Sequence, residues 1–462
     1  MSARFTAGEA RDWCGGDLHG DAGVVFDGVS IDTRTLEKSA LFVAVRGPVH
    51  DAHDYLDRAL EAGAAGLLLE RGRGAPTGAP LWIAADDSTH ALGALAAGHR
   101  RSFHGPLVAV TGSNGKTTTK EMCAAILERI GPCLRNRGNL NNQYGLPLTL
   151  LERTPEHVVA VVEIGMNHRG EIAPLAEIAR PDVGVITNVG TAHLEHLGSQ
   201  DEIAAEKGDL LAALPDDGVA VVNADDPRAL GQAARTQARV VLFGLAANAD
   251  VRAEDVTSLG DQGHRFTLHT PQGACQVQVA GLGDTTIPNA LAAAAAALGA
   301  GATLEQVTEG LAAYRPIRGR MESRALSDGL RVIDDSYNAN PQSMEAALRS
   351  LAQLKGAHRA VAVLGDMGEL GAESRRAHRG AGMLATRLGI DFVIALGEHA
   401  DDVAGGARDE GLAAERIHVE GSHEAACRRV RSLVSADDWV LVKGSRSMQM
   451  ERVVQALEEG AP

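Results

Sequence analysis

Apolar residues in this chain come in short blocks that end abruptly in polar ones, with helix-periodic stretches between them. In the first part, 41–45 reads as a strand, 54–62 as a helix, and 66–69 and 81–84 as further apolar runs. A helical stretch over 88–103 runs into His104-Gly105-Pro106, which breaks the pattern and marks a linker. The middle part repeats one device. An apolar run over 157–162 ends at Glu163, one over 183–186 ends at Thr187-Asn188, and one over 219–222 ends at Asn223. Strands separated by helical stretches predict a parallel sheet. Ligands of such sheets sit beyond the carboxyl ends of the strands, so Glu163 and Asn188 point to one functional edge. Short alternation over 251–279 predicts antiparallel hairpins, and an alanine-rich helix follows over 289–298. After Tyr314-Arg315-Pro316 the same grammar returns. Runs at 330–333, 361–364, 392–396 and 439–442 end at Asp334-Asp335, Gly365-Asp366, Gly397 and Lys443-Gly444. The pattern predicts an α/β protein of three units, 1–104, 105–314 and 315–462, the last a second doubly wound domain.

Composition narrows the function. The chain has 462 residues and a formal net charge of −16, with no basic run to offset it. That field repels nucleic acid and anionic membranes, so an anionic ligand needs a local cationic pocket. Aromatics are only 3%, so alanine, valine and leucine must fill the cores. Five scattered cysteines lack metal-site spacing, which fits a reducing compartment and excludes a disulfide framework. There is no leader-like apolar segment at the start, and the longest apolar stretch, 290–302, is too short to cross a bilayer. A cytoplasmic monomer with no nucleic-acid partner and no membrane insertion is the expectation.

The cationic pocket has a clear candidate. Val108-Ala109-Val110-Thr111-Gly112-Ser113-Asn114-Gly115-Lys116-Thr117-Thr118 reads as a buried strand, a glycine-punctuated turn and a helix start. Glycines let backbone N–H groups turn inward, the helix start adds positive potential, and Lys116 adds a full charge. Thr117 offers a hydroxyl to Mg²⁺. The loop is shorter than the common Walker pattern, because position 110 is valine where that pattern's first glycine would fall. Glu163 supplies a carboxylate of the kind that shares Mg²⁺ with a substrate phosphate; a capping or salt-bridged role is the plain alternative. His193, after the glycine turn at 190, is either a ligand or an ordinary hydrogen-bonded histidine. Lys207 reads on its own as a solvated lysine on a helix. Asp334 and Asp335 can hold ribose hydroxyls or balance a cation, Asn338 and Asn340 offer uncharged amides, and the whole run is also a turn signal. Arg320 and Lys443 are anion contacts or plain exposed cations.

Together these runs resemble the ATP-dependent Mur ligases over essentially the whole chain. The resemblance includes Ser30-Ile31-Asp32-Thr33-Arg34, Asp51-Ala52-His53-Asp54, Asn139-Leu140-Asn141-Asn142, residues 163–172, Ala192-His193-Leu194, residues 334–341, 365–371 and 442–448. The Ser-Asn-Gly-Lys-Thr-Thr-Thr-Lys-Glu run and Tyr337-Asn338-Ala339-Asn340-Pro341 favour the dipeptide-adding member, and the Asp-Asn-Pro-Arg motif of the diamino-acid-adding relative is absent. The family implies an N-terminal domain for a uridine nucleotide, a central P-loop-type ATPase and a C-terminal Rossmann-like domain that binds the incoming dipeptide.

Carried over, Ser30, Thr33 and Arg34 become uridine-diphosphate contacts. Gly112, Ser113, Asn114, Gly115, Lys116, Thr117 and Thr118 become the ATP loop. Thr117 and Glu163 become ligands of one Mg²⁺ and His193 of a second. Lys207 matches the lysine that the family carbamylates, whose carbamate would offer Mg²⁺ oxygens in place of a repelling ammonium. Asn289, Arg320 and Asp335 become ATP contacts. Asn139, Asn142, Tyr337, Asn338, Asn340 and Lys443 fall on the substrate side. The chain departs from the family where Thr285-Thr286 replaces a His-Asn pair and where Ala52 replaces a glycine.

The implied reaction joins D-alanyl-D-alanine to UDP-N-acetylmuramoyl-tripeptide through an acyl phosphate, with ATP consumed, in peptidoglycan synthesis. Charge neutralisation, positioning and a closing motion of the outer domains would carry it. The diamino-acid ligase, a folate-type polyglutamate ligase and a nucleotide-binding regulatory module are the alternatives. A NAD-binding dehydrogenase is weaker, because dinucleotide sites do not need Lys116.

Overall fold

The structure is a computed structural model that describes residues 3–47, 49–191 and 194–460; the side chain of His196 is left aside. Its centre is a nine-stranded sheet. From one edge the order is Gly273–Val279, His264–Thr270, Val251–Ser258, Arg239–Gly244, Val219–Asn223, Val183–Ile186, Leu107–Thr111, Val159–Glu163 and Cys133–Arg135. The seven strands from Val251–Ser258 onward run parallel, and the two at the first edge are antiparallel. The parallel strands flanking Leu107–Thr111 are buried on both faces, as sheets covered by helices on either side require.

Two apolar layers sandwich this sheet. One contains the helix Thr286–Gly299, whose alanines from Ala290 to Ala297 are essentially all buried. With so little aromatic side chain, the core closes by bringing backbones near: this helix packs directly on Lys116–Leu127, the helix that follows the glycine loop.

A six-stranded sheet in the C-terminal part has the order Glu322–Ala325, Arg331–Asp335, Trp439–Lys443, Ala360–Leu364, Phe392–Ala395 and Ile417–Val419, parallel except at its first pair. The N-terminal part has a five-stranded sheet, Asp17–His19, Trp82–Ala85, Gly66–Glu70, Leu41–Val43 and Val29–Ser30, beside a small antiparallel pair. Strand ends agree with the sequence pattern wherever an apolar run meets a polar residue. The segment over 54–62 divides instead into a 3₁₀ turn, Ala52–Tyr55, and a short helix, Leu56–Glu61. Among the described residues, no helix is long and apolar enough to cross a membrane.

Candidate active site

The glycine loop leaves the central strand Leu107–Thr111 and enters the helix Lys116–Leu127. Two glycines are required there. Gly112 has φ +151°, and a side chain on it would collide with Thr187 Oγ1; Gly115 has φ +80°, and a side chain on it would collide with Asn289 Oδ1. Asn289 is thus seated against the loop from the alanine-rich helix, where it also accepts from Thr119 Oγ1 at 3.3 Å. The next strand end steadies the loop. Asn114 N donates to Asn188 Oδ1 at 2.9 Å, while Asn188 Nδ2 and Thr187 Oγ1 donate to Asn114 O at 3.0 and 2.7 Å. Ser113 Oγ accepts from Gly190 N at 2.8 Å. Lys116 folds back, with Nζ donating to Gly112 O at 2.7 Å and to Ser113 O at 3.5 Å. Burial lowers its pKa and the nearby Glu163 raises it, with burial dominant.

Thr117 Oγ1 donates to Glu163 Oε2 at 2.7 Å. Both residues are buried, and both lie at carboxyl ends of adjacent parallel strands or just beyond them. A hydroxyl and a carboxylate side by side are hard oxygen donors, a set that suits Mg²⁺. Two neighbours that the sequence reading gave no role, Asn141 and Asn136, complete this corner. Asn141 Nδ2 donates to the other Glu163 oxygen at 2.7 Å. Asn136 is fully buried, accepts from Glu163 N at 2.9 Å, and its carbonyl takes a bond from buried Lys120 at 2.5 Å. The signal was the dense run of amides between 136 and 142, from which a single strand-end pattern cannot choose.

Lys207 is not a solvated lysine. It is 2% exposed, on the helix Gln200–Ala212, and has no hydrogen-bond or ion-pair partner among the described residues. Burial, and then repulsion from Lys116, push it well below the ordinary ammonium range. Its neighbour Glu206 does not neutralise it by contact. That carboxylate accepts the N–H groups of Gly170, Glu171 and Ile172, each at 2.9 Å, at the start of the helix Ile172–Ala179.

The C-terminal part closes the other side. Lys443 Nζ reaches Asp335 Oδ2 at 2.5 Å and Asn338 O at 2.9 Å; Lys443 and Asp335 are both buried, so this charge is held inside the wall. Arg320 lies over the Tyr337 ring at 4.1 Å, and Arg446 approaches the same ring at 5.8 Å. Asn340 caps the helix Pro341–Lys355 and also donates from Nδ2 to Asn114 Oδ1 at 2.7 Å, directly on the glycine loop. Two residues on, Gln342 Oε1 accepts from Thr191 Oγ1 at 2.8 Å.

Between these walls lies a cavity of about 870 Å³. Ser113 to Thr118, Asn139, Asn142, Glu163, Asn289, Arg320, Asp335, Tyr337, Asn338, Asn340 and Lys443 all line it. Gly112 and Lys207 are not among its lining residues. Asn142 Oδ1 also accepts from Tyr144 N at 3.2 Å and Gly145 N at 3.0 Å, just ahead of the helix Gly145–Leu151. Ser30, Thr33 and Arg34 lie apart from this cavity in the N-terminal part, where Asp32 gathers Arg34 N and Nε at 2.9 Å and its terminal nitrogen at 2.6 Å. Arg34 pulls the Asp32 carboxyl down to about 2. His193 lies outside the described residues.

A glycine loop of phosphate-binding form on a parallel sheet, with an acid beside its threonine and a second α/β unit facing it, defines the P-loop type of nucleotide-dependent protein. Known proteins narrow the class. The Mur ligase middle domain model matches residues 110–297, and the Mur ligase, glutamate ligase domain model matches 319–446. UDP-N-acetylmuramoyl-tripeptide--D-alanyl-D-alanine ligase of Escherichia coli is 41% identical, with 98% of each chain covered. A crystal structure of MurF from Acinetobacter baumannii is 34% identical, with 99% of each chain covered and a TM-score of 0.89. MurF ligase from Thermotoga maritima in complex with ADP is 27% identical, covers 94% of this chain and 97% of its own, and has a TM-score of 0.82. The chain belongs to the Mur ligase family.

Proposed function

We propose that this protein joins D-alanyl-D-alanine to UDP-N-acetylmuramoyl-tripeptide at the expense of ATP, releasing ADP and phosphate. The observation that carries the reading is the pairing of Thr117 and Glu163 beside the Lys116 loop, in a chain similar over its whole length to relatives bearing that name. The terminal carboxylate of the tripeptide attacks the γ-phosphorus of ATP, the bond to the bridging oxygen breaks, and ADP leaves. The dipeptide amine then attacks the acyl carbon, loses a proton, and expels phosphate. Anionic groups meet in both steps, so the site works mainly by neutralising charge and holding the reactants in place.

Lys116 and the loop N–H groups hold the ATP phosphates, with Asn289 and Arg320 at the nucleotide end. Thr117 and Glu163 would hold Mg²⁺, which when bound offsets the charge of the phosphates. His193 is proposed for a second ion. Lys207 is proposed to carry a carbamate: the deprotonated amine, favoured by burial, adds to carbon dioxide, forming an N–C bond and losing a proton. That replaces an unpartnered cation near Lys116 by an anion. Ser30, Thr33 and Arg34 are read as uridine-diphosphate contacts, and Asn139, Asn142, Tyr337 and Asn338 as substrate contacts. Units 1–104, 105–314 and 315–462 then divide nucleotide-sugar, ATP and dipeptide among them, in the cytoplasm.

The test is phosphate release with UDP-N-acetylmuramoyl-tripeptide and ATP, with and without D-alanyl-D-alanine. Sustained release and a pentapeptide product only with the dipeptide are expected. Turnover with a diamino acid in its place, or no product, overturns the reading.

A further inference from the structure

The stretch 365–370 closes the cavity on the C-terminal side, and a histidine outside every motif considered above holds it from behind. His378, on the helix Ser374–Arg387, is 1% exposed. Both of its ring nitrogens are committed. Nε2 lies 2.8 Å from Met367 N, a backbone N–H that can only donate, so Nε2 carries no proton. Nδ1 lies 2.6 Å from Ser374 O, which can only accept, so Nδ1 carries the proton. The imidazole is therefore neutral, in one defined tautomer.

This ring belongs to a larger bracket. It stacks on His399, with centroids 4.4 Å apart and planes 21° apart. Asp366 Oδ1 and Oδ2 accept from His399 N and Glu398 N at 3.0 and 2.8 Å, and Asp366 O accepts from Ser445 N at 2.8 Å. Gly368, Glu369, Ser445 and Arg446 line the cavity in front. Glu369 has φ +60°, a left-handed conformation that a non-glycine residue keeps only where its surroundings impose it.

We propose that His378 is a positioning residue for the ligation step: as a neutral acceptor it fixes Met367 N–H, and through it the 366–370 wall that meets the incoming dipeptide. The inference rests on the ligase reading above. A proton on Nε2 would turn the one acceptor into a donor facing another donor. Among the described residues, the charged or titratable groups facing the ring are His399, Asp366 and Asp402. Asp366 Oδ1 is 3.9 Å from Nε2; Asp402 is paired with His399 Nδ1 at 3.1 Å and with Arg375 at 3.2 Å. An imidazolium would draw toward Asp366, which already holds the neighbouring turn. Burial sets the direction for His378, lowering its pKa, so the bracket is intact at neutral pH and fails in acid.

The experiment uses the full chain and two variants. His378→Gln offers an amide oxygen in place of Nε2 and does not titrate; His378→Leu offers no acceptor. The Leu variant is expected to lose about tenfold in kcat/KM for D-alanyl-D-alanine at alkaline pH, the loss of one buried acceptor, with ADP affinity unchanged. The Gln variant is expected to keep most of that activity and to lose the acid limb expected of the wild type, which burial of His378 places below the ordinary histidine range. A Gln variant with the wild-type acid limb, or a Leu variant with wild-type kcat/KM, overturns the proposal. Nitrogen NMR of the wild type tests the bracket without turnover or a folded Leu variant: a proton on Nε2 at neutral pH overturns it. A wild type that makes no pentapeptide sinks the ligase reading instead, and leaves the NMR result standing.

Discussion

Thr117 Oγ1 and Glu163 Oε2 share a hydrogen bond of 2.7 Å although 46 positions separate the two residues. Strand register brings this about. Val159–Glu163 and Leu107–Thr111 run parallel with Glu163 opposite Val110, so the acid emerges where the loop begins its turn. The helix start then lifts Thr117 over that strand end. Lys116, next in line, feels the same carboxylate.

Removing the cation should separate chemistry from nucleotide-sugar binding. Lys116→Ala is expected to cut phosphate release by about 10²–10³-fold, as loss of a preorganised charge contact does. Calorimetry should find UDP-substrate affinity nearly unchanged, because Ser30, Thr33 and Arg34 lie outside the cavity. Near-normal turnover would remove Lys116 from the mechanism.

Lys207 supplies a chemical test. Lys207→Ala should be inactive and should regain part of its activity when formate or acetate is added, since a small anion can occupy the space a carbamate would fill. Depleting carbon dioxide from the wild type should lower turnover reversibly. Full activity in the alanine variant would return Lys207 to a packing role.

Asn340 joins the two halves of the cavity. Asn340→Ala removes both the bond to Asn114 and the cap on Pro341–Lys355, and N-cap loss alone costs about 1 kcal/mol. Hydrogen exchange should quicken in the first turn of that helix, and KM for the dipeptide should rise. Asn340→Asp keeps the cap but loses the donor to Asn114 Oδ1. If it shows wild-type KM, the tie across the cavity has no catalytic weight.

Asp32 sets a pH signature in the N-terminal part. Its folded pKa is depressed, first by the Arg34 side chain and then by the Arg34 backbone. The ordering it provides is therefore complete above the ordinary aspartate value and lost as pH falls toward about 2. Carboxyl NMR should place its midpoint near that value, and Asp32→Asn should weaken UDP-substrate binding with ADP binding intact. A midpoint at the ordinary aspartate value would mean that Arg34 is not held in solution.

Much of the scaffold was legible because apolar runs end sharply. Val183–Ile186 and the hairpins after Val251 follow directly from the pattern. The alanine-rich helix begins earlier than its apolar run, at Thr286, because Pro288 is tolerated within a first turn. Cys133–Arg135 was illegible: three residues at a sheet edge leave no period to read. Lys207 was misread from its local sequence because Glu206-Lys207-Gly208-Asp209 looks like a polar face, yet the helix Gln200–Ala212 packs on the helix Ile172–Ala179. The bond from Asn340 to Asn114 spans 226 positions, and no local signal encodes a partner at that distance.

The alanines behind the phosphate loop have a thermodynamic meaning of their own. Alanine has no rotamers to surrender, so the helix Thr286–Gly299 is buried almost free of side-chain entropy loss. Its buried face is mostly methyl groups and backbone, so few side chains there can swivel to absorb a displacement. A shift of the helix is therefore passed largely to Asn289 and Gly115, and that side of the cavity inherits the stiffness of near-bare backbone.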